Sequence, residues 1–312
     1  MSFQPDPTVP LAEDPATSGL PDPTGPLTAS GNLRRRAAVS RLLEVSATAA
    51  ALLAVGVFCL VVFAIASRGA SAISFSFLTT DPNPVNPAMG GIAPAIVGTA
   101  VIVAIATAIA MPLGVLIALY LIEFAGRRSG RVVRMALDLM NGLPTVVVAI
   151  MVYGLLVVGH GDSAIAASIA LAIIMLPLIA RSSHQVLLLV PGTLREAADA
   201  LGVARWRGVI GVVLPSALGG IVTATILAAA RAAGETVPLL LLSSLVTSNN
   251  VQGNPAHALS AMPLTILNSF ELGVPAGISQ AWGTALVLMA TILAANIGAR
   301  VFLARNRSRL GL

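Results

Sequence analysis

The chain of 312 residues has no lysine, one cysteine, two tryptophans and only 10% charged residues. Each scarcity excludes something. A P-loop sets a lysine on the nucleotide phosphates, so an ATPase site of that kind cannot be built from this chain. With Cys59 alone, an intrachain disulfide and a multi-cysteine metal site are both ruled out; inside an apolar run Cys59 reads as a small filler. His160, His184 and His257 are scattered in loops or at span ends without ligand spacing, which favours plain polarity over metal binding. Neither HExxH nor GxSxG occurs, and Asp138 and Asp162 fall at span ends, so nothing points to an intramembrane enzyme. A soluble domain carries about 25% charge. At 56% hydrophobic residues and a mean hydropathy of +0.91, this composition is that of an all-α integral membrane protein.

What is present is a series of charge-free windows: 45–66, 92–122, 139–158, 163–180, 209–230 and 281–299. A crossing needs roughly 20 apolar residues, so the sequence predicts six transmembrane helices. The apolar pieces Val237–Val246 and Leu272–Ile278 are too short to span and read as half-helices or re-entrant segments. The first 32 residues hold seven prolines, four acids and no base, the composition of a disordered tail. A signal peptide would instead begin with basic residues and an apolar core, so the first span is expected to be retained. The expected organisation is a tail over 1–34, a first helix and external loop over 35–91, a transmembrane domain over 92–305 and a basic tail over 306–312.

All 18 basic residues are arginine, and 16 of them form four groups. Arg34, Arg35, Arg36 and Arg41 precede the first span. Arg127, Arg128, Arg131 and Arg134 follow the second, and Arg181, Arg195, Arg205 and Arg207 follow the fourth. Arg300, Arg305, Arg307 and Arg309 follow the sixth. In a six-span chain these groups share one side. The positive-inside rule makes that side cytoplasmic, with both termini inside. The sequence pI near 10.9 then reports orientation and lipid contact; a nucleic-acid partner is not expected. Trp206 and Trp282 fall at opposite interfaces, as aromatic anchors do. Pairs of small residues such as Ala104 and Ala108, or Gly208 and Gly211, suit close helix packing, and Pro112, Pro144 and Pro177 are candidate kinks.

Two arginines fall outside the groups. Arg68 lies just beyond the first span, within reach of headgroups. Arg231 lies inside the run Val209–Val246, in the stretch RAAGETVPLL. As one helix that run would be about 57 Å long, against a hydrocarbon core of about 30 Å. It must break, and Gly234 and Pro238 are the natural places. Arg231 is then expected about 24 Å beyond Pro215, in the outer part of span five. Intramembrane charges face a cavity, pair internally or handle substrate. Arginine presents a planar fork that matches phosphate oxygens. Two readings stay open: an i,i+4 ion pair between Arg231 and Glu235 that braces the helix end, or a place in an anion path or its gate.

The segment VPGTLREAADALGVARWRGVIGVVLP, Val190–Pro215, lies between spans four and five. Thr193 and Glu196 read as a capping box. Leu194, Ala197, Ala198 and Leu201 form an apolar stripe, and Gly202 stands at the C-cap. The offsets of Glu196, Ala197, Ala198, Gly202 and Leu214-Pro215 resemble the EAA loop of ABC importer permeases, with Val212 where that pattern carries isoleucine. The resemblance implies six transmembrane helices of the MetI-like permease type. It also implies a coupling helix that docks in a groove of a separate ATP-binding subunit, an apolar knob in a groove.

Three further stretches resemble the permeases of the phosphate importers, a pair of related subunits known as PstA and PstC. They are GGIAPAIVGTA at Gly90–Ala100, NGLPTVVVAI at Asn141–Ile150, in their proline-broken span, and RAAGET at Arg231–Thr236. Pro238-Leu239-Leu240 and MPLTIL at Met262–Leu267 lean toward the PstA type. The resemblance covers roughly residues 35–305. It implies phosphate import and an assembly of this subunit with a PstC-type permease, two ATP-binding subunits and an extracytoplasmic phosphate-binding protein, in the inner membrane. No cofactor is expected on this chain; ATP and Mg would sit on the ATP-binding subunits, so the chain is expected to be a transport subunit without enzymatic activity of its own. The residues implied for the path or gate are Arg231, Gly234, Glu235, Thr236 and Arg181, the last also readable as a positive-inside anchor. A permease for another oxyanion or an amino acid would share the EAA loop, and a secondary transporter would work without an ATPase.

Overall fold

The computed structural model describes residues 33–83, 90–243 and 253–309. The proline-rich tail up to position 32, the 244–246 end of one apolar piece and residues 310–312 lie outside them. The chain divides into two compact units, residues 1–60 and 61–312. In the first, helix α1 (Leu33–Gly69) begins; it continues into the second. Every described side chain from Arg35 to Leu60 is exposed, including Leu42, Leu52, Phe58 and Leu60. Such an all-round apolar surface is what a lipid-facing helix presents.

The second unit is helical throughout its described elements. After short α2 (Phe75–Thr79), α3 (Ala93–Leu119) ends in a π turn, Tyr120–Phe124. Next come α4 (Arg127–Gly142), α5 (Thr145–Val152) with a second π turn at Tyr153–Val157, and α6 (Ala164–Leu188). Then α7 (Gly192–Ala200) and α8 (Arg205–Gly208) lead through a third π turn, Val209–Val213, into α9 (Leu214–Ala232). The chain closes with α10 (Val237–Leu242), α11 (Met262–Glu271) and α12 (Pro275–Arg309). Among the described residues, five helices are long and apolar enough to cross a membrane, and α4 with α5 makes a sixth crossing if the bent pair is one span.

α6 is the core helix. Its run of alanines, Ala164, Ala166, Ala167, Ala170 and Ala172, is buried with Leu171, Met175 and Ile179. Small side chains let neighbouring backbones approach where lipid offers no hydrophobic drive between helices. On α3 the matching face is Ile102, Ala106, Ala110, Gly114 and Ala118, all buried at i,i+4 spacing. A Cβ on Gly114 would stand 2.8 Å from Ile179. The expected pair Ala104 and Ala108 lies on the opposite, exposed face of α3; alanine content alone does not tell one face of an apolar helix from another. Gly208 is buried as expected. Gly211 is exposed, and a Cβ added there would meet no heavy atom within 4 Å.

α9 packs against α6 through Gly220, where a Cβ would come 2.5 Å from Val186 Cγ1. Overpacking a close-packed helix crossing costs about 1–3 kcal/mol. Gly220→Leu is therefore expected to lower the melting temperature of the detergent-purified protein, and Gly211→Ala to leave it in place.

Several boundaries differ from expectation. The window 139–158 is not one straight span: α4 and α5 meet at 95° across Leu143-Pro144. Pro144 has no N–H and biases the residue before it toward extended backbone, and Leu143 has ψ 132°. Pro112 and Pro177, by contrast, sit inside continuous helices. Span four does not end at Ala180; α6 continues to Leu188 and carries Arg181 within it. The half-helix near the C-terminal end is Met262–Glu271, not Leu272–Ile278. Gly273 at φ 65° and Pro275 turn the chain there into α12.

Candidate substrate cleft and coupling loop

Two helix breaks face the middle of α6. One is Leu143-Pro144 between α4 and α5. The other is Ala233–Thr236 between α9 and α10, closed by Gly234 N–H to Arg231 O at 3.1 Å and Glu235 N–H to Ala232 O at 3.1 Å. Pro238 stands in the first turn of α10, where its missing N–H is tolerated. Gly234 has neither a positive φ nor a crowding neighbour under 3.5 Å, so Pro238 and the tight turn bonds make this break.

Between the breaks lies a cleft of about 700 Å³, counted to its open mouth. Met140, Asn141, Leu143 and Thr145 form one wall, and Ala228, Arg231, Ala232 and Glu235 the other. Ile173, Ile174, Met175 and Leu178 of α6 form the floor. Met175 is 11 residues from one end of α6 and 13 from the other, which is mid-helix at about 1.5 Å per residue. Arg231 therefore stands in the last turn of α9, just before the break as expected, and lines the cleft against the middle of α6. The early break is the reason: α10 covers the remaining distance, and its Leu242 carbonyl accepts from Ser163 N–H at 3.0 Å beside the Ala164 end of α6.

Arg231 and Glu235 line the same cleft, and no ion pair joins them among the described residues. The i,i+4 brace therefore does not form in this conformation, because helical geometry stops at Ala232 and Glu235 no longer sits one turn above Arg231. Arg231 is exposed to the cleft. Across it, Thr145 opens α5; Val147 and Val148 N–H reach Pro144 O at 3.0 and 3.5 Å, which leaves the Thr145 and Val146 N–H groups at the positive end of the helix dipole without a helical acceptor. An arginine fork, an amide side chain at Asn141 and the start of α5 together form an anion-compatible lining. Thr236 and Gly234 belong to the turn itself. Arg181 is absent from the lining: its guanidinium pairs with Asp138 on α4, one turn along α6 from Leu178.

The second assembly is the loop after α6. The capping box does not form. Pro191 is the N-cap, so Thr193 is already helical and its hydroxyl caps nothing. The C-terminus is as expected and more fully bonded: Gly202 has φ 68°, its N–H reaches Asp199 O at 3.0 Å, and Val203 N–H reaches Ala198 O at 3.1 Å. These are the two bonds of a Schellman motif. Of the apolar stripe only Ala198 is buried, against the body near Gly208. Leu194 and Ala197 are exposed, Leu201 is 82% exposed, and Glu196 also faces out. α7 thus leaves its apolar knob uncovered. Leu214 and Pro215 begin α9 after the π turn, with proline again in a first turn.

Glu123 is a site residue that no motif in the sequence marks. It is 6% exposed in the π turn after α3, and its Oε1 accepts from Arg195 Nε at 2.9 Å. The available signal is a lone acid, in YLIEFAG, at the end of a charge-free run.

The family described as binding-protein-dependent transport system inner membrane component matches residues 110–308. A Mycobacterium tuberculosis protein named phosphate transport system permease protein PstA 1 is 37% identical over 230 residues, covering 72% of this chain and 73% of that one. A Yersinia pestis PstA protein is 34% identical over 250 residues, covering 79% and 84%. The transmembrane subunit fold is shared with an inward-facing structure of the MetNI methionine ABC transporter, at TM-score 0.54 and 19% identity over 69% of this chain and 94% of that one. The chain belongs to the binding-protein-dependent transport system inner membrane component family, as a multi-pass permease of the PstA type.

Proposed function

We propose that this chain forms half of the translocation path of an ATP-driven phosphate importer. What carries the reading is Arg231, at mid-helix depth in a cleft between two helix breaks and without an ion pair among the described residues, in a chain whose relatives are named phosphate transport system permeases. Around it, this reading assembles a PstC-type permease, two ATP-binding subunits that hold ATP and Mg, and an extracytoplasmic phosphate-binding protein. The membrane is the inner membrane, with both termini and α7 on the cytoplasmic side, a reading supported by the grouping of the arginines. The chain itself is a transport subunit. Nucleotide closure of the ATP-binding subunits reaches it through the face of α7 that carries Glu196, Ala197 and Leu201, and the cleft changes its accessible side in response.

Phosphate selection begins with the binding protein. Arg231 then supplies a positive, water-accessible step where hydrocarbon would otherwise repel the anion. Arg181, committed to Asp138, borders the cleft without lining it. An exposed pair of this kind is worth about 0–1 kcal/mol, so Arg181→Gln is expected to slow uptake less than about threefold, measured as initial rate.

The reading is tested with the four-subunit complex in proteoliposomes supplied with the binding protein. ATP-dependent uptake of phosphate, with sulfate excluded, is expected. Uptake that persists without the ATP-binding subunits, or equal uptake of sulfate, would overturn it.

A further inference from the structure

The buried carboxylate of Glu123 has no part in the cleft, yet it gathers the cytoplasmic ends of the core helices. Its Oε1 accepts from Arg195 Nε on α7 at 2.9 Å. The same guanidinium donates through Nη2 to the Leu187 carbonyl in the last turn of α6 at 3.2 Å, beside the Val190 N–H that reaches the same oxygen at 3.3 Å. Arg205 of α8 brings its Nε to 3.9 Å from Glu123 Oε2 and sets its guanidinium 5.7 Å from the Phe124 ring centroid. Glu123, Val209 and Val213 line one cleft with Arg195, Ala198 and Asp199. Tyr120–Phe124, which carries Glu123, and Val209–Val213, which packs against α7, are both π turns, a geometry common at functional positions.

A carboxylate this buried is costly unless each oxygen is matched by a cation. Arg195 is itself only 28% exposed at its side chain, so the pair is a desolvated, hydrogen-bonded contact and not a surface one. Arg205 is 64% exposed and adds little. The apolar contacts of α7 on the body are few: Ala198 is buried, Leu194 at 39% exposed borders the cleft with Val209 and Val213, and Ala197 and Leu201 face out. The polar joint adds a directed tie from α7 to the ends of α3 and α6.

We infer that Glu123 is a positioning residue for energy coupling: through Arg195 it locks α7 to the ends of α3 and α6, so that displacement of α7 by a partner moves the core helices as one body. α6 is the floor of the Arg231 cleft, so the joint lies on the route from α7 to the substrate path. This inference rests on the transporter reading above.

The test uses the complete complex in proteoliposomes, with Glu123→Gln and Arg195→Lys. Glutamine keeps size and one acceptor but not the charge; lysine keeps charge but cannot reach Glu123 and the Leu187 carbonyl together. Each variant is expected to assemble and hydrolyse ATP while phosphate imported per ATP falls about tenfold, within the usual range of coupling between linked sites. A purely structural role would lower yield or melting temperature and leave that ratio unchanged, and an unchanged ratio in both variants overturns the proposal. If one variant fails to fold, the other decides. A second readout needs no phosphate: spin labels at Ala200→Cys on α7 and Leu116→Cys on α3, in a chain with Cys59→Ala. Wild type should hold one narrow separation with and without trapped nucleotide, and Glu123→Gln should broaden it. A narrow separation in the variant would sink the joint whatever the substrate proves to be, whereas failure of the wild-type complex to import phosphate would sink only the substrate reading.

Discussion

Replacing Arg231 with alanine is expected to abolish phosphate uptake, to about a hundredth of the wild-type rate or less, while the complex still assembles. Arg231 stands in a cleft where, among the described residues, the ionisable lining groups are itself and Glu235. A charge-assisted hydrogen bond to an anion is worth about 1.5–3 kcal/mol, and each 1.4 kcal/mol is about a factor of ten. A fork that makes two such bonds thus accounts for a hundredfold or more. Arg231→Lys keeps the charge but loses the planar fork, so a loss of about tenfold is expected, between wild type and alanine. Uptake rates in proteoliposomes, normalised to the amount of assembled complex, read both. If Glu235 served only to neutralise Arg231, the double variant Arg231→Ala, Glu235→Ala would recover transport. The lack of an ion pair between the two side chains in this conformation argues that it will not.

The second large effect is expected at Gly202. Its φ of 68° is a left-handed conformation, and the space around its missing Cβ is empty. Substitution is therefore a matter of backbone strain and not of collision. A β-branched residue is costly there, about 1–3 kcal/mol, and would open the Schellman turn that fixes where α7 ends. Gly202→Val is expected to weaken binding of the purified protein to its ATP-binding subunit about tenfold or more, with uptake falling in parallel. Gly202→Asn, which tolerates the left-handed region, should retain most of both. A pull-down titration distinguishes these outcomes, and equal loss in the two variants would assign the effect to the side chain instead of the turn.

The features legible in the sequence are those set by short-range chemistry. Charge-free windows locate the crossings, because a bilayer tolerates little else. Gly202 announces its cap and Pro238 announces a broken helix, through residues whose backbone preferences are strong. Faces and partners are harder to read. In a chain where nearly every position is apolar, nothing local separates the buried stripe of Ala106, Ala110 and Gly114 from the exposed Ala104 and Ala108. Likewise Thr193 and Glu196 have the spacing of a capping box, but Pro191 starts the helix early and leaves the box unused.

Depth is hidden for a related reason. Counting residues from Pro215 puts Arg231 near the end of span five, where α9 does end, but it does not show that the turn at Ala233–Thr236 and the added α10 leave Arg231 against the centre of α6. The partner of Arg181, one helix away at Asp138, and the joint at Glu123, 72 residues from Arg195, are tertiary facts. No periodicity encodes them.

The central claim is that the cleft between the two helix breaks is the phosphate path, and the single cysteine of the chain makes a direct measurement possible. In a Cys59→Ala background, Thr145→Cys places one thiol on the cleft wall opposite Arg231. The account predicts that a water-soluble, charged methanethiosulfonate reagent modifies this thiol, that phosphate slows the modification during ATP turnover and sulfate does not, and that the modified complex no longer imports phosphate. A thiol that is modified at the same rate with and without phosphate, in a complex that continues to transport after modification, would contradict it.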